Sequence, residues 1–534
     1  MDTTTTDYDV CVIGAGFAGM YMLKKLRELG LRTHVFERGD DVGGTWYWNR
    51  YPGARCDVES LFYCYSFDDE LQQEWTWSER YPAQPEILAY CRHVADRYDL
   101  RRDISFGTPV ESVVYDEVAG LWNLRTGAGQ RVRARWVITA VGCLSASQVP
   151  RFPGLDDFRG QWFHTGQWPH EPVDFVGQRV AVIGTGSSGI QAIPAIARTA
   201  RQLTVFQRTP NFSVPAHNGP LDPGTQERVK AEYAKLRAEA RVSPGGTIAH
   251  PTGKKALDLG EDERRAELDR RWADGGSAFL SAFADTMVDE AANRISADYV
   301  RDQIRRIVKD PATAELLCPR DHPIGSKRIC VDTGYYETYN RDNVRLVDVR
   351  ANPIERITEH GVRVGGVDHE VDAIVFATGY DAMTGPLTRL NIRGVGGQSL
   401  ADSWSEGPRT YLGLAVPGFP NLFTITGPGS PSVLSNMVVS IEQHVEWIAG
   451  HLDHLRRNDL RRSEADPEAA RQWTEHVDEV ARHTLYPQAA SWYMGANVPG
   501  KPRVFMPYVG GVGAYREICD GVAAEGYKGF QLSR

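Results

Sequence analysis

The 534-residue sequence has no surplus of positive charge: 60 Lys and Arg stand against 69 Asp and Glu, a formal net charge of −9. A nucleic-acid or anionic-membrane partner calls for a basic face, so neither is expected. Cysteine is scarce. The eight, at positions 11, 56, 64, 91, 143, 318, 330 and 519, form no C-x-x-C pair and are too thinly spread for a disulfide framework. Free, mostly buried thiols are expected. No grouping of His, Cys and carboxylates has metal-ligand spacing, so no metal is expected either. Met1 to Asp9 carries no basic stretch followed by an apolar one, which argues against a secretory leader and for a cytoplasmic protein. The longest charge-free stretch, between Arg409 and Glu442, is broken by Gly413, Pro417, Gly418, Pro420, Gly427, Pro428, Gly429 and Pro431. No run of about 18 apolar residues survives there, so it is read as buried strands and loops beside a ligand.

What is present is an ordinary globular mix, 42% hydrophobic and 24% charged, which excludes disorder and collagen-like repeats. The length suits three or four units of about 150 residues each. Asp9 to Ile13 reads as a short apolar strand, Gly14-Ala15-Gly16-Phe17-Ala18-Gly19 as a tight turn, and the run to about Gly30 as a helix. Leu31 to Glu37 is the next strand, so Glu37 stands 23 residues beyond Gly14. Glycines so spaced let the backbone approach a pyrophosphate at a helix N-terminus, and the acid suits a ribose hydroxyl pair.

A second unit repeats the pattern. Arg179 to Ile183 is the strand, Gly184-Thr185-Gly186-Ser187-Ser188-Gly189 the turn, Ile190 to about Thr199 the helix and Leu203 to Phe206 the following strand. At the matching offset stands Gln207, followed by Arg208 and Thr209. A carboxylate there would repel a 2′-phosphate, whereas Arg offers it paired donors. The first site therefore suits the ADP half of FAD and the second suits NADPH.

Apolar segments ending in small residues, Trp136 to Gly142 and Ala373 to Gly379, resemble strands leaving one nucleotide fold for the other. The expected fold class is α/β, with two discontinuous, interleaved Rossmann-like domains. The FAD-binding domain is placed at 1–144 and 381–534, and the NADP-binding domain at 145–219 and 324–380. A helical insertion at 220–323 is rich in Glu, Asp, Arg, Lys and Ala, as in Glu261 to Arg271, and its charges read as solvated faces. Pro215 to Pro223 is the boundary loop.

Two longer patterns carry a resemblance. Phe158-Arg159-Gly160-Gln161-Trp162-Phe163-His164-Thr165-Gly166-Gln167-Trp168-Pro169 resembles the F-x-G-x-x-x-H-x-x-x-W-[PD] fingerprint of the type I Baeyer–Villiger monooxygenases. Gly43-Gly44-Thr45-Trp46 through Tyr51-Pro52-Gly53 to Asp57 matches a second pattern of that family in full. The segments 49–57, 427–432 and 491–500 look most like the phenylacetone and steroid monooxygenase branch. The resemblance covers nearly the whole chain.

It implies an enzyme in which NADPH reduces FAD, the reduced flavin captures O₂ as a C4a-peroxide, and this attacks a ketone to give a Criegee adduct and then an ester or lactone. The partners implied are a small ketone and O₂, with a monomer or weak oligomer expected. In the family an arginine beside the flavin serves the anionic species, and Arg328 in Gly325-Ser326-Lys327-Arg328-Ile329 matches it. A guanidinium stays charged and gives up no proton to the oxidant. Asp57 is its implied partner, with Arg55 and Glu59 as local rivals for an ion pair. Lys327 resembles the lysine that joins Arg208 and Thr209 on the 2′-phosphate. Trp46 and Trp492 fall in cofactor-contacting segments, with core packing as the competing reading for Trp46. His164 is expected to pin the interdomain linker without touching substrate. Ser432, Val433 and Leu434 match a substrate-facing loop. The rival activities are N- or S-oxidation by a flavin-containing monooxygenase and uncoupled NADPH oxidation or redox sensing.

Overall fold

The computed structural model describes residues 6–248 and 251–534. Two sheets organise it. The first has eight strands, ordered Ile392–Arg393, Val110–Asp116, Leu121–Thr126, Arg131–Thr139, Tyr8–Ile13, Thr33–Phe36 and Ile104–Ser105, with Leu422–Thr424 joining Arg131–Thr139 off this path. Tyr8–Ile13 is parallel to both neighbours, with Val12 opposite Val35 and Ile138. The strand after the first helix is shorter than its apolar run predicts: it spans Thr33–Phe36 and leaves Glu37 just past its end. Its apolar side chains are sealed on the sheet, since Val35 and Phe36 are buried.

The second sheet is parallel throughout, in the order Val344–Asp348, Gln202–Gln207, Arg179–Ile183, Ala373–Phe376 and Gln161–His164. Its central strands read as continuous apolar runs, as sheets covered on both faces must. The helix Ser187–Ala197 covers one face, and Ile190, Ile193 and Ile196 carry its apolar stripe. A three-stranded antiparallel sheet, Ile354–Thr358, Gly361–Val364 and Val367–Glu370, packs with Ile183, Phe206 and Phe376 on the other.

The chain passes from the first sheet to the second after Thr139 and returns after Phe376. The two crossovers run side by side, with Ser147 opposite Tyr380 in an antiparallel bridge. Among the described residues between 220 and 323 lie five α-helices, Pro223–Ala231, Tyr233–Val242, Glu261–Asp274, Glu290–Ile307 and Pro311–Leu317. Aspartates cap four of the chain's helices there and beyond: Asp222, Asp289, Asp310 and Asp466 each accept a first-turn N–H, satisfying donors a helix cannot pair itself. The charge-free stretch holds the Leu422–Thr424 strand, buried loops and the start of the Met437–Arg457 helix. Among the described residues no helix is long and apolar enough to cross a membrane. All eight cysteines are free and buried.

Candidate active site

The two glycine turns are built alike. Gly14 and Gly184 take φ of +103° and +111°, and each backs onto a crossover: a Cβ at Gly14 would stand 2.6 Å from the carbonyl oxygen of Ala140, and one at Gly184 would overlap that of Ala377. Each turn is therefore fixed by the segment that leads to the other sheet. Gly19 and Gly189 pack in the same way on the carbonyls of Gly14 and Gly184, bringing helix onto strand.

Both turns fit a dinucleotide. No atom lies within 4 Å of where a Cβ at Gly186 would stand, which leaves the helix N-terminus at Ser187 open to a phosphate. Gly16 meets only Gly44, whose φ of +53° admits that approach. Glu37 is buried, and its carboxylate accepts N–H groups from Ala15 and Gly39, each at 2.7 Å. Burial pushes its pKa up, against those two hydrogen bonds. Thr45 opens the short helix Thr45–Trp48. Thr185 Oγ1 donates to the carbonyl of Thr209 at 2.9 Å, which ties the second turn to the segment after the next strand.

Between the turns, Arg328 Nε donates to Asp57 Oδ2 at 3.3 Å, and Arg328 Nη1 donates to the carbonyl of Val433 at 2.8 Å. Asp57 is 11% exposed in its side chain and Arg328 is 34% exposed. Burial works against the charge of Arg328, but Asp57, with Tyr493 and Cys56, together more than offset it and hold the guanidinium ionised. Burial also pushes the Asp57 carboxyl up, while Arg328 and Gln191 pull it back. The local rivals are engaged elsewhere: Arg55 pairs with Glu79 at 2.9 Å, and Arg80 with Glu59 at 2.7 Å.

Lys327, next in the chain, makes no ion pair among the described residues. Burial lowers its pKa, Asp321 opposes this, and Arg208 and Arg350 add to it. Arg208 is exposed. Asp321 is held to about 2, chiefly by its hydrogen bond with His322 at 2.7 Å, and Arg350 pairs with it at 3.2 Å. Lys327 and Arg350 thus gather around one carboxylate, with Arg208 near Lys327. Gln207, which occupies the place of an acid, is buried and donates through Nε2 to the carbonyl of Leu316 at 2.7 Å.

Ser432 and Val433 are buried and Leu434 is half-buried. Val433 joins an apolar cluster with Cys143, Met383, Tyr493, Phe505 and Met506, and Leu434 and Trp492 pack against it. Tyr493 lies close to Arg328, so this apolar cluster borders the guanidinium. Trp46 lies in the core beneath the first sheet, and its indole N–H donates to the Tyr63 hydroxyl at 3.1 Å.

The fingerprint residues are structural neighbours of the crossovers. Phe158 packs under the antiparallel sheet, Trp168 packs with Phe175 beside the second sheet, and Pro169 is half-buried beyond it. Gly160 sits against the carbonyl of Asp372. His164 ends the Gln161–His164 edge strand; its Nδ1 accepts the Gly166 N–H at 3.0 Å, and Nε2 lies 3.4 Å from Thr378 Oγ1. Burial lowers its pKa to about 4, so the ring is neutral, with its proton on Nε2 facing the returning crossover.

Four participants were not singled out from the sequence. Gln191 donates to Asp57, Tyr51 donates to Gln191, Asn211 donates to the carbonyl of Arg328, and Arg350 joins the basic group around Asp321. Two of them left a signal: Tyr51 is a fixed position of the pattern ending at Asp57, and Gln191 stands one helical turn beyond Ser187 and so shares its face.

The comparisons agree on one family. A model for flavin-binding monooxygenase-like proteins matches residues 7–216. The acetone monooxygenase (methyl acetate-forming) of Gordonia sp. (strain TY-5) is 44% identical over 533 residues, covering 99% of this chain and all of that protein. A Baeyer–Villiger monooxygenase of Pseudooceanicola batsensis is 44% identical over 98% of this chain and 96% of its own. A solved structure of oxidised steroid monooxygenase bound to NADP is 53% identical and superposes with a TM-score of 0.94, covering 98% of this chain and 99% of that one. Similarity at this level, over essentially full length, places the chain in the Baeyer–Villiger monooxygenases of the flavin-binding monooxygenase family.

Proposed function

We infer that the protein is an FAD- and NADPH-dependent monooxygenase that inserts one atom of O₂ beside a ketone carbonyl, giving an ester or lactone. The observation that carries this is the Arg328–Asp57 pair, set between two dinucleotide-shaped turns and beside an apolar cluster. Bound NADPH would supply the hydride and bound FAD the activation of O₂. The chain's own residues bind, orient and manage charge.

Gly14, Gly16, Gly19 and Glu37 would hold the adenosine half of FAD, with Gly44 and Thr45 closing over it. Gly184, Gly186, Ser187 and Gly189 would cradle the pyrophosphate of NADPH, and Arg208, Thr209 and Lys327 its 2′-phosphate. Arg328 would stabilise negative charge as an oxyanion develops on the carbonyl oxygen of the ketone. Its proton is not available to quench an oxidant, because the guanidinium does not deprotonate in proteins. Asp57 orients the guanidinium and compensates its charge. The cluster of Val433, Leu434 and Trp492 would exclude water and receive the apolar part of a ketone. The steroid and phenylacetone branch is the one this loop and the 53% identity support.

The test is direct. Enzyme reduced anaerobically with NADPH is mixed with aerated buffer and a panel of aliphatic, cyclic and steroid ketones, and ester, H₂O₂ and NADP are quantified. Ester in step with NADPH consumption is expected. Stoichiometric H₂O₂ without ester across the panel would favour an oxidase, and product from amines or sulfides alone would favour N- or S-oxidation.

A further inference from the structure

Asp57 is held from two sides. Arg328 engages Oδ2, and Gln191 Nε2 donates to Oδ1 at 3.3 Å. Gln191 belongs to the helix Ser187–Ala197, which begins at the second glycine turn, whereas Asp57 follows from the first. The carboxamide is fully engaged. Its Oε1 accepts from the Tyr51 hydroxyl at 2.8 Å and the Arg55 N–H at 3.4 Å, and Nε2 also donates to the Arg55 carbonyl at 3.1 Å. The backbones dock as closely: Gly53, at φ +84°, has no room for a Cβ against the Gln191 carbonyl.

The same helix reaches the segment that carries the other member of the pair. Ser187, one turn before Gln191, places Oγ 3.4 Å from Cys330 Sγ, two residues beyond Arg328. Asn211 Nδ2 fastens this segment, donating to the Arg328 carbonyl and to Cys330 Sγ, each at 3.2 Å. The first turn and a half of a helix that opens onto the nicotinamide dinucleotide site therefore holds Asp57 through Gln191 and touches the Arg328 segment at Cys330.

We propose that Gln191 is a positioning residue, which sets the Asp57 carboxylate so that Oδ2 faces Arg328 and links that setting to the second dinucleotide site. A donated N–H both favours the ionised carboxylate and fixes its rotamer. A displacement of the Ser187–Ala197 helix by a bound nucleotide would reach the Asp57 carboxylate through the Gln191 side chain and its segment through the backbone contact at Gly53. The inference rests on the roles given above to Arg328 and Asp57.

Three variants separate positioning from scaffolding. Gln191→Met keeps volume and loses both ends of the amide. Gln191→Glu replaces the donor to Oδ1 with an acceptor, so two carboxyl groups compete for one proton. Tyr51→Phe removes the bond to Oε1 and leaves Nε2 on Asp57. The readouts are the NADPH-driven flavin reduction rate against pH, and the oxidised-flavin absorbance spectrum against pH without nucleotide, which reports nearby charge independently of turnover.

Gln191→Met is expected to reduce flavin about tenfold more slowly, the size of one hydrogen bond to a charged group, with the NADPH KM within twofold. Gln191→Glu should move both pH profiles upward, and Tyr51→Phe should slow reduction less than Gln191→Met with neither profile displaced. Wild-type rates and spectra in Gln191→Met and Gln191→Glu would overturn the proposal, as would equal loss in Tyr51→Phe and Gln191→Met without displaced profiles. If wild-type enzyme makes no ester while the Gln191 profiles shift as expected, the monooxygenase reading fails and the positioning role stands.

Discussion

Arg328 donates to the carbonyl of Val433 at 2.8 Å, and Val433 presents that carbonyl from a backbone with φ of +65°. A β-branched residue is an outlier there, and the conformation costs on the order of 1–3 kcal/mol. The surroundings enforce it. The Val433 side chain is buried, its N–H reaches Met437 Sδ at 3.1 Å, Ser430 Oγ donates to Ser432 Oγ at 3.1 Å, and the Tyr508 N–H donates to the Ser430 carbonyl at 2.8 Å. The loop thus fixes one arm of the guanidinium while Asp57 holds its Nε, with the Tyr493 hydroxyl as a further neighbour.

This strain is measurable. Val433→Gly and Val433→Ala both lose the buried isopropyl group, but only Gly relaxes at positive φ. Val433→Gly should therefore be the more stable of the two by about 1 kcal/mol, read from urea denaturation midpoints. At an ordinary backbone position Ala wins. Equal stability, or Ala ahead, would mean the loop relaxes when the branch is removed. In both variants a looser Arg328 should raise H₂O₂ at the expense of ester.

Arg328→Ala should leave a flavin that NADPH still reduces, with ester formation lowered by about 10²-fold or more, the usual loss for one preorganised donor to an oxyanion. Asp57→Ala should retain FAD but slow both flavin reduction and ester formation. Stopped-flow reduction and gas chromatography of product separate the two effects. Ester at the wild-type rate in Arg328→Ala would remove the oxyanion role, and unchanged rates in Asp57→Ala would remove the orienting one.

The two sheets were legible because each starts with a strand, a glycine turn and a helix in register, and local sequence dictates all three. Strand ends were less so: the apolar run beginning at Leu31 becomes a strand only at Thr33, because its pairing partner, not its composition, sets the length. The Arg328–Asp57 pair joins residues 271 apart in sequence, and only a family pattern could bring them together on paper. Tyr51 stood in the family pattern and Gln191 one helical turn beyond Ser187, but neither position reveals which partner a buried phenol or amide will find. The left-handed backbone at Val433 was equally hidden, since nothing about valine announces it and the loop's packing imposes it.

Lys327→Ala should raise the KM for NADPH about tenfold or more, the worth of a charge-assisted hydrogen bond, with little change for NADH. Burial and the nearby Arg208 and Arg350 lower the Lys327 pKa. In free enzyme its charge is therefore lost at a lower pH than that of an ordinary lysine. The kcat/KM for NADPH should fall on the alkaline side below pH 10.5, and that limb should vanish in Lys327→Arg, which stays charged. Equal loss with NADPH and NADH in Lys327→Ala would exclude phosphate recognition.

His164, His444 and His451 are each buried, and burial lowers their pKa to about 4, 3 and 3. His164 and His444 accept backbone N–H groups at Nδ1, from Gly166 at 3.0 Å and Thr426 at 2.9 Å, a role a protonated ring cannot fill. The unfolded chain takes up protons at about pH 6.5, before the folded chain does, so stability falls as pH drops below that value. Each histidine contributes a slope approaching about 1.4 kcal/mol per pH unit. Asp332 acts oppositely: burial raises its pKa to about 6, so between about pH 6 and 4 the folded state holds the extra proton and one histidine is offset. The urea midpoint, measured with saturating FAD, should accordingly decline from pH 6.5 to 4, and Asp332→Asn should steepen that decline. His444→Asn, which can still accept the Thr426 N–H, should flatten it by roughly 1 kcal/mol per pH unit. A midpoint independent of pH across this range would mean the buried rings gain protons without unfolding the chain.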